Sequence, residues 1–113
     1  MVDCLFCKII DGQVPAKVVF ENDFVIAFHD INPLAPVHIL VLPKIHVESA
    51  LTMDPNLVGC IKDMMLVAQQ IAQDNGIENC ARLVMNNGAR AGQSVFHLHM
   101  HLIGGRDFTW PPG

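Results

Sequence analysis

The residues most able to do chemistry in this chain are concentrated in His97-Leu98-His99-Met100-His101-Leu102-Ile103. If the segment is a strand, its side chains alternate between faces. His97, His99 and His101 then share one face, and Leu98, Met100 and Leu102 point to the core. Same-face neighbours lie about 6.5 Å apart at ~3.3 Å rise per residue. One phosphate can bridge two imidazoles at that spacing. A neutral imidazole nitrogen is a nucleophile at neutral pH and needs no strong base to unmask it. On the residues alone two other readings stay open, a solvated polar strand face and a three-histidine metal site. The metal reading requires three imidazoles to converge, and a straight strand holds them in a row.

The elements that position this stretch follow from periodicity. Phe96 to Ile103 reads as a strand ending at Gly104-Gly105. Val37 to Leu42 reads as a buried strand between Pro36 and Pro43, and Ala81 to Met85 as another, ending at Asn86-Asn87-Gly88. Val18 to Glu21 and Phe24 to Phe28 flank Asn22-Asp23 and form a hairpin. A long helix is predicted from Pro55 to Asn75. Asp54 caps its start, Pro55 suits the first position, and Leu57, Ile61, Met64, Ala68 and Ile71 make its apolar stripe. Gly76 fits its left-handed C-terminal cap. A shorter helix covers Asp3 to Ile10 and stops at Asp11-Gly12. About five strands joined by turns, with one long helix, make an α+β fold with a mainly antiparallel sheet. The 113 residues form a single domain.

Hydrophobic residues make up 51% of the chain, a high share for a small monomer that must keep its surface wet. Apolar surface buried against a second copy accounts for it, so a homodimer is expected. Trp110-Pro111-Pro112-Gly113 can be neither helix nor central strand, so Trp110 packs on the other subunit or on a site rim. The formal charge is −4 with no basic run, which argues against a nucleic-acid partner. Met1-Val2-Asp3-Cys4 has no positive n-region and no long apolar h-region, so no secretory signal is expected. The longest apolar run, around Ile39 to Leu42, is too short to span a membrane. A cytoplasmic address follows, in which the four cysteines stay reduced.

Cys4-x-x-Cys7 is a metal-like pair that needs two further ligands, for which His46 and His97 are the candidates. The alternative is a reduced pair packing as small hydrophobes. Cys60 packs on the long helix, and neither it nor Cys80 has a partner in the sequence.

The run from Gly92-Gln93-Ser94-Val95-Phe96-His97 to Gly104-Gly105-Arg106 resembles the signature of the histidine-triad superfamily, and its nucleoside phosphoramidase branch most closely. Phe28-His29-Asp30-Ile31-Asn32-Pro33, the block from Ala35 to Lys44, and the terminal Trp-Pro-Pro-Gly match the same branch. The resemblance covers essentially the whole chain.

The resemblance implies that His99 is the nucleophile, attacking the α-phosphorus to give a nucleotidyl-histidine that water hydrolyses. A backbone carbonyl, that of His97, would fix its tautomer. His101 would contact the nonbridging oxygens, and His38 would orient or protonate from a neighbouring strand, with a satisfied core histidine as the other reading. Ser94 would hydrogen-bond the leaving group, unless it bonds its own turn. Asp30 would bind the ribose hydroxyls; Ile31, Phe6 and Ile10 would wall the base. Asn86 and the backbone around Gly92 and Gln93 would hold the phosphate. Bacterial relatives carry Cys, Cys, His and His at the places of Cys4, Cys7, His46 and His97 and bind structural zinc. The implied activity is hydrolysis of purine nucleoside 5′-phosphoramidates to the monophosphate and an amine. The alternatives are a dinucleoside polyphosphate hydrolase or nucleotidyl transferase of the same superfamily, and a nucleotide-binding module with vestigial turnover. Arg90 and Arg106 read as exposed surface arginines.

Overall fold

Residues 3–113 are described by a computed structural model. Met1 and Val2, part of the segment read above for a secretory signal, lie outside the described residues. The elements are α1 (Leu5–Ile10), β1 (Val18–Glu21), β2 (Val25–His29), β3 (Val37–Pro43), α2 (Gly59–Asp74), β4 (Ala81–Val84) and β5 (Met100–Gly104). The strands form one sheet in the order β1-β2-β3-β5-β4, with every neighbouring pair antiparallel. The α+β architecture expected from the sequence is the one observed.

Local chemistry sets the turns. In the β1–β2 hairpin Asn22 Oδ1 accepts from the amides of Phe24 and Val25, each at 2.8 Å. This Asx arrangement supplies the turn with acceptors that the backbone lacks. The helix predicted from Pro55 begins as a 3₁₀ turn, Pro55–Leu57, and becomes α-helical only at Gly59. Asp54 Oδ1 caps that turn by accepting from Asn56 N at 2.9 Å. Leu57 therefore leaves the apolar stripe and is exposed, whereas Val67 and Ala72 join Met64, Ala68 and Ile71 in the buried face. Such tightened first turns are common where the orphan amides take i→i+3 partners. At the other end Gly76 has φ +67°, its amide bonds Gln73 O, and the Ile77 amide bonds Ala72 O. That pair of bonds is a Schellman stop, and it requires the left-handed residue.

The sheet is covered on both faces. On one, Val25, Ala27, Ile39, Val41, Met100 and Leu102 pack with Met64, Val67, Ala68 and Ile71 of α2. On the other, Ile26, Phe28, Leu40 and Leu42 pack with Cys4 and Phe6 of the N-terminal segment. Central strands buried on both sides read as continuous apolar runs, which is why β2 and β3 show little alternation. Each fully buried large side chain contributes about 1.5–3 kcal/mol of transfer free energy.

The histidine strand is shorter than its pattern predicts. β5 starts at Met100, so His97 and His99 precede it and only His101 is strand-borne. The reason lies in the backbone: the Leu98 amide donates to Val47 O at 2.6 Å, outside the sheet ladder. The chain stays extended enough to keep alternation, so Leu98 is buried in the α2-facing core. Three other strands differ by one residue at one or both limits, becoming Val25–His29, Val37–Pro43 and Ala81–Val84.

Candidate active site and metal centre

His99 sits on the face opposite α2, 7% exposed, where the Phe6 ring meets it edge-on at a centroid distance of 5.0 Å. Its Nδ1 lies 2.7 Å from the carbonyl oxygen of His97. A carbonyl can only accept, so Nδ1 carries the proton and Nε2 keeps its lone pair. Burial holds His99 below the usual imidazole pKa, opposed by the His97 carbonyl and the charge of Asp30. The ring is thus a neutral base with one nitrogen free.

His101 lies next to it, with ring centroids 5.1 Å apart. Burial first, then the neighbouring His99 and His38, push its pKa down to about 4. Its Nδ1 is 2.9 Å from Nε2 of His38, a buried residue of β3. The proton positions follow from the far end of this chain. The Leu34 amide donates to His38 Nδ1 at 3.1 Å, so that nitrogen is an acceptor and His38 Nε2 carries the hydrogen. His38 Nε2–H then donates to His101 Nδ1, and His101 must carry its own hydrogen on Nε2. Asp30 Oδ2 lies 3.4 Å from His38 Nε2, while Asp30 Oδ1 accepts from Asn32 N at 2.8 Å. Asp30, His38 and His101 place ligand-type atoms within 4.8 Å of one another. Here those atoms are joined to one another, His38 Nε2–H facing His101 Nδ1 at 2.9 Å and Asp30 Oδ2 at 3.4 Å.

Of the remaining expected residues, Phe6 touches His99 directly. Ser94 is exposed, and Asn86 is half-buried beside Gly92, where a Cβ would lie 3.8 Å from Asn86 Nδ2. The Gly92 and Gln93 amides bond Ala89 O and Gly88 O within the loop. The Gln93 side chain, 4% exposed, accepts from Gly88 N and donates to Glu48 O and Val95 O. It therefore shapes the loop from below. Phe6 is buried under His99, Ile10 is half-buried, and Ile31 is 92% exposed at the loop after β2. Arg90 is exposed and so is Arg106, but Arg106 Nε donates to Leu34 O at 2.8 Å. Cys60 is half-buried against the α2 core, and exposed Cys80 donates to Arg106 O at 3.0 Å. Leu34 was not singled out in the sequence. Its contribution is a backbone amide, for which residue type gives no signal.

His97 belongs to a different cluster. It is fully buried, and its Nε2 lies 2.8 Å from Pro43 O, which places the hydrogen there. The Nδ1 lone pair faces the sulfurs of Cys4 and Cys7, each at 3.6 Å, and Cys7 Sγ is 3.3 Å from His46 Nδ1. All four ligand atoms lie within 4.8 Å of one another. Tetrahedral zinc with bonds of about 2.0 Å to nitrogen and 2.3 Å to sulfur spans ligand pairs about 3.3–3.8 Å apart. The ring's other nitrogen is tied to a carbonyl, the usual outer-shell device for a metal-bound imidazole. The donor set and its geometry fit a closed metal centre. Burial, then the adjacent Cys4, pushes the Cys7 thiol up to about 11, so metal binding must displace that proton.

The HIT domain family matches residues 11–108. The chain belongs to the HIT domain family. The HIT-like protein slr1234 of Synechocystis is 47% identical over 98% of this chain and 97% of its own. A 14 kDa zinc-binding protein of Brassica juncea is 40% identical over 98% of this chain and 100% of its own. The Arabidopsis thaliana adenylylsulfatase HINT1 is 42% identical over 96% of this chain and 76% of its own. Among solved structures, a HIT family hydrolase from Legionella pneumophila has a TM-score of 0.94 at 44% identity, covering 98% of this chain and 100% of that one. A zinc-bound histidine triad protein from Mycobacterium smegmatis has a TM-score of 0.79 at 30% identity, covering 92% and 76%. The HIT chain described here is thus of the hydrolase kind. Cys4 and Cys7 precede the matched segment.

Proposed function

We propose that this HIT protein, as one domain over residues 1–113, hydrolyses purine nucleoside 5′-phosphoramidates to the nucleoside monophosphate and an amine. The observation that carries the reading is the hydrogen bond from His99 Nδ1 to His97 O, 2.7 Å, which leaves Nε2 free to attack. In the first step Nε2 bonds to the α-phosphorus and the phosphorus–nitrogen bond breaks. The electron pair leaves on an amine protonated through the Ser94 hydroxyl. In the second, water bonds to phosphorus, its proton passing back through the Ser94 hydroxyl to solvent in place of the one the amine took, and the phosphorus–Nε2 electron pair returns to His99. His101 Nε2–H, supplied by the His38 chain, donates to a nonbridging oxygen as charge shifts onto it. Asp30 accepts from the ribose hydroxyls, and Ile31 with Ile10 and Phe6 lines the side where the base lies. Asn86 and the Gly92–Gln93 loop flank the phosphate.

Zinc held by Cys4, Cys7, His46 and His97 is the structural metal of this reading, and it supplies rigidity rather than chemistry. Bound there, it would tie α1 to the segment that carries the His97 carbonyl. A homodimer is supported by edge strand β4, whose Leu83 is exposed, and by exposed Leu66 on α2. We place the protein in the cytoplasm, in keeping with reduced cysteines. No helix among the described residues is long and apolar enough to cross a membrane.

The Arabidopsis relative's name, an adenylylsulfatase, favours a second reading in which the same attack expels sulfate from adenylyl sulfate. Phosphorus NMR of adenosine 5′-phosphoramidate and of adenylyl sulfate with the purified protein separates the two. Faster AMP formation from the phosphoramidate supports the proposal, and exclusive turnover of adenylyl sulfate replaces it.

A further inference from the structure

Arg106 is exposed, yet two of its guanidinium nitrogens and one face of the group are engaged. Nε donates to Leu34 O at 2.8 Å, Nη1 donates to Asp107 O at 3.0 Å, and the group lies 4.3 Å from the centre of the Phe108 ring. Arg82 of β4 approaches the same ring at 4.9 Å and donates to Thr109 O. The segment after β5 is thereby fastened to the sheet edge, and Arg106 reaches from it to the loop between β2 and β3. Leu34 of that loop is held at both of its backbone groups: its carbonyl accepts from Arg106 and its amide donates to His38 Nδ1.

We infer that Arg106 is a positioning residue that sets the tautomers of His38 and His101 by holding Leu34 in place. The consequence is directional. With the Leu34 amide on His38 Nδ1, the hydrogen must sit on His38 Nε2, and it then faces His101 Nδ1 at 2.9 Å. His101 is left with its Nε2–H pointing out of the chain, available to a phosphate oxygen. If Leu34 drifts, His38 can carry its hydrogen on either nitrogen, with the Asp30 carboxylate, 3.4 Å from Nε2, still favouring the Nε2–H form. In the Nδ1–H form its Nε2 becomes an acceptor, His101 must donate from Nδ1, and Nε2 of His101 presents a lone pair to the phosphate. A donor becomes a repelling acceptor without any side chain of the site being altered. Leu34 itself is 64% exposed, so its side chain has little packing to hold the backbone, and the Arg106 bond restrains its carbonyl, one peptide along from its amide. The catalytic half of this inference rests on the proposed phosphate chemistry; the tautomer half does not.

The test is long-range proton–nitrogen NMR on histidine-labelled full-length protein, which reads each imidazole tautomer directly, combined with kinetics on adenosine 5′-phosphoramidate. In the native chain His38 and His101 should both be Nε2–H. Arg106→Ala should give mixed tautomers at both rings and lower kcat about tenfold, the scale of one lost charge-assisted hydrogen bond, with KM within about twofold. Arg106→Lys, which keeps a charged donor, should restore most of the tautomer signal and of kcat. A purely structural arginine would lower thermal stability and leave the tautomers alone. Unchanged His38 and His101 spectra in Arg106→Ala overturn the inference. If the native protein turns over no phosphoramidate, the proposed function fails while the spectra still decide the role of Arg106.

Discussion

The carbonyl of His97 accepts the Nδ1 proton of His99 at 2.7 Å, while the His97 ring faces Cys4 and Cys7. One residue therefore holds the nucleophile with its backbone and the metal centre with its side chain. The two sites share a wall, and what loosens one should be felt at the other.

Removal of the metal tests that link. Cys4→Ser takes away one thiolate ligand, while the serine hydroxyl can still accept from Cys7 N as the helix cap. Elemental analysis should find stoichiometric zinc in the native protein and a clear deficit in Cys4→Ser. The variant should also melt lower by roughly 10 °C, the shift expected for ~2 kcal/mol in a domain this size. A chelator should lower the native melting temperature and leave that of the variant unchanged. Native protein that never carries zinc would remove the metal from the account.

Gln93 offers a test of the loop. Its buried amide group satisfies Gly88 N, Glu48 O and Val95 O at once. Gln93→Leu keeps the bulk and strands those partners, at a cost of about 1–3 kcal/mol each where they stay dry. Urea unfolding should place the variant at least about 2 kcal/mol below native. A change under 0.5 kcal/mol, the scale of a neutral surface substitution, would mean water replaces the side chain.

The pH dependence has a definite sign. His101 is held at about 4 in the folded chain against an ordinary 6.5. Between these values the unfolded chain binds more protons, so stability rises with pH there and is lost as pH falls from 6.5 towards 4. Unfolding free energies measured across that window should slope upward in the native protein and less so in His101→Gln. Equal slopes would place His101 in an ordinary, wetter setting.

Much of this was legible because it was local. Asp54, Gly76 and the Asn22 turn carry their own hydrogen-bonding logic, and the apolar runs of β2 and β3 mark a doubly covered sheet. The Cys4-x-x-Cys7 pair pointed to His46 and His97 through ligand chemistry. The start of β5 was not legible, because alternation survives in an extended segment even where Leu98 N bonds Val47 O instead of a strand neighbour. The division of the three histidines is not in the strand pattern itself and was legible only through the Cys4-x-x-Cys7 pair. It depends on cysteines some 90 residues away, which draw the His97 ring into a separate cluster. Leu34 was invisible because an amide has no residue type, and Arg106 because its partner is a carbonyl 72 positions away.

The central claim is that His99 Nε2 forms a covalent bond to phosphorus. The most direct test is intact-mass and peptide analysis of protein mixed with a slowly hydrolysed adenosine 5′-phosphoramidate and quenched within the first turnover. The account predicts an added adenylyl group on the peptide containing His99 in the native protein and none in His99→Ala, which should still bind AMP. An adduct on another residue, or full turnover by His99→Ala, would contradict it.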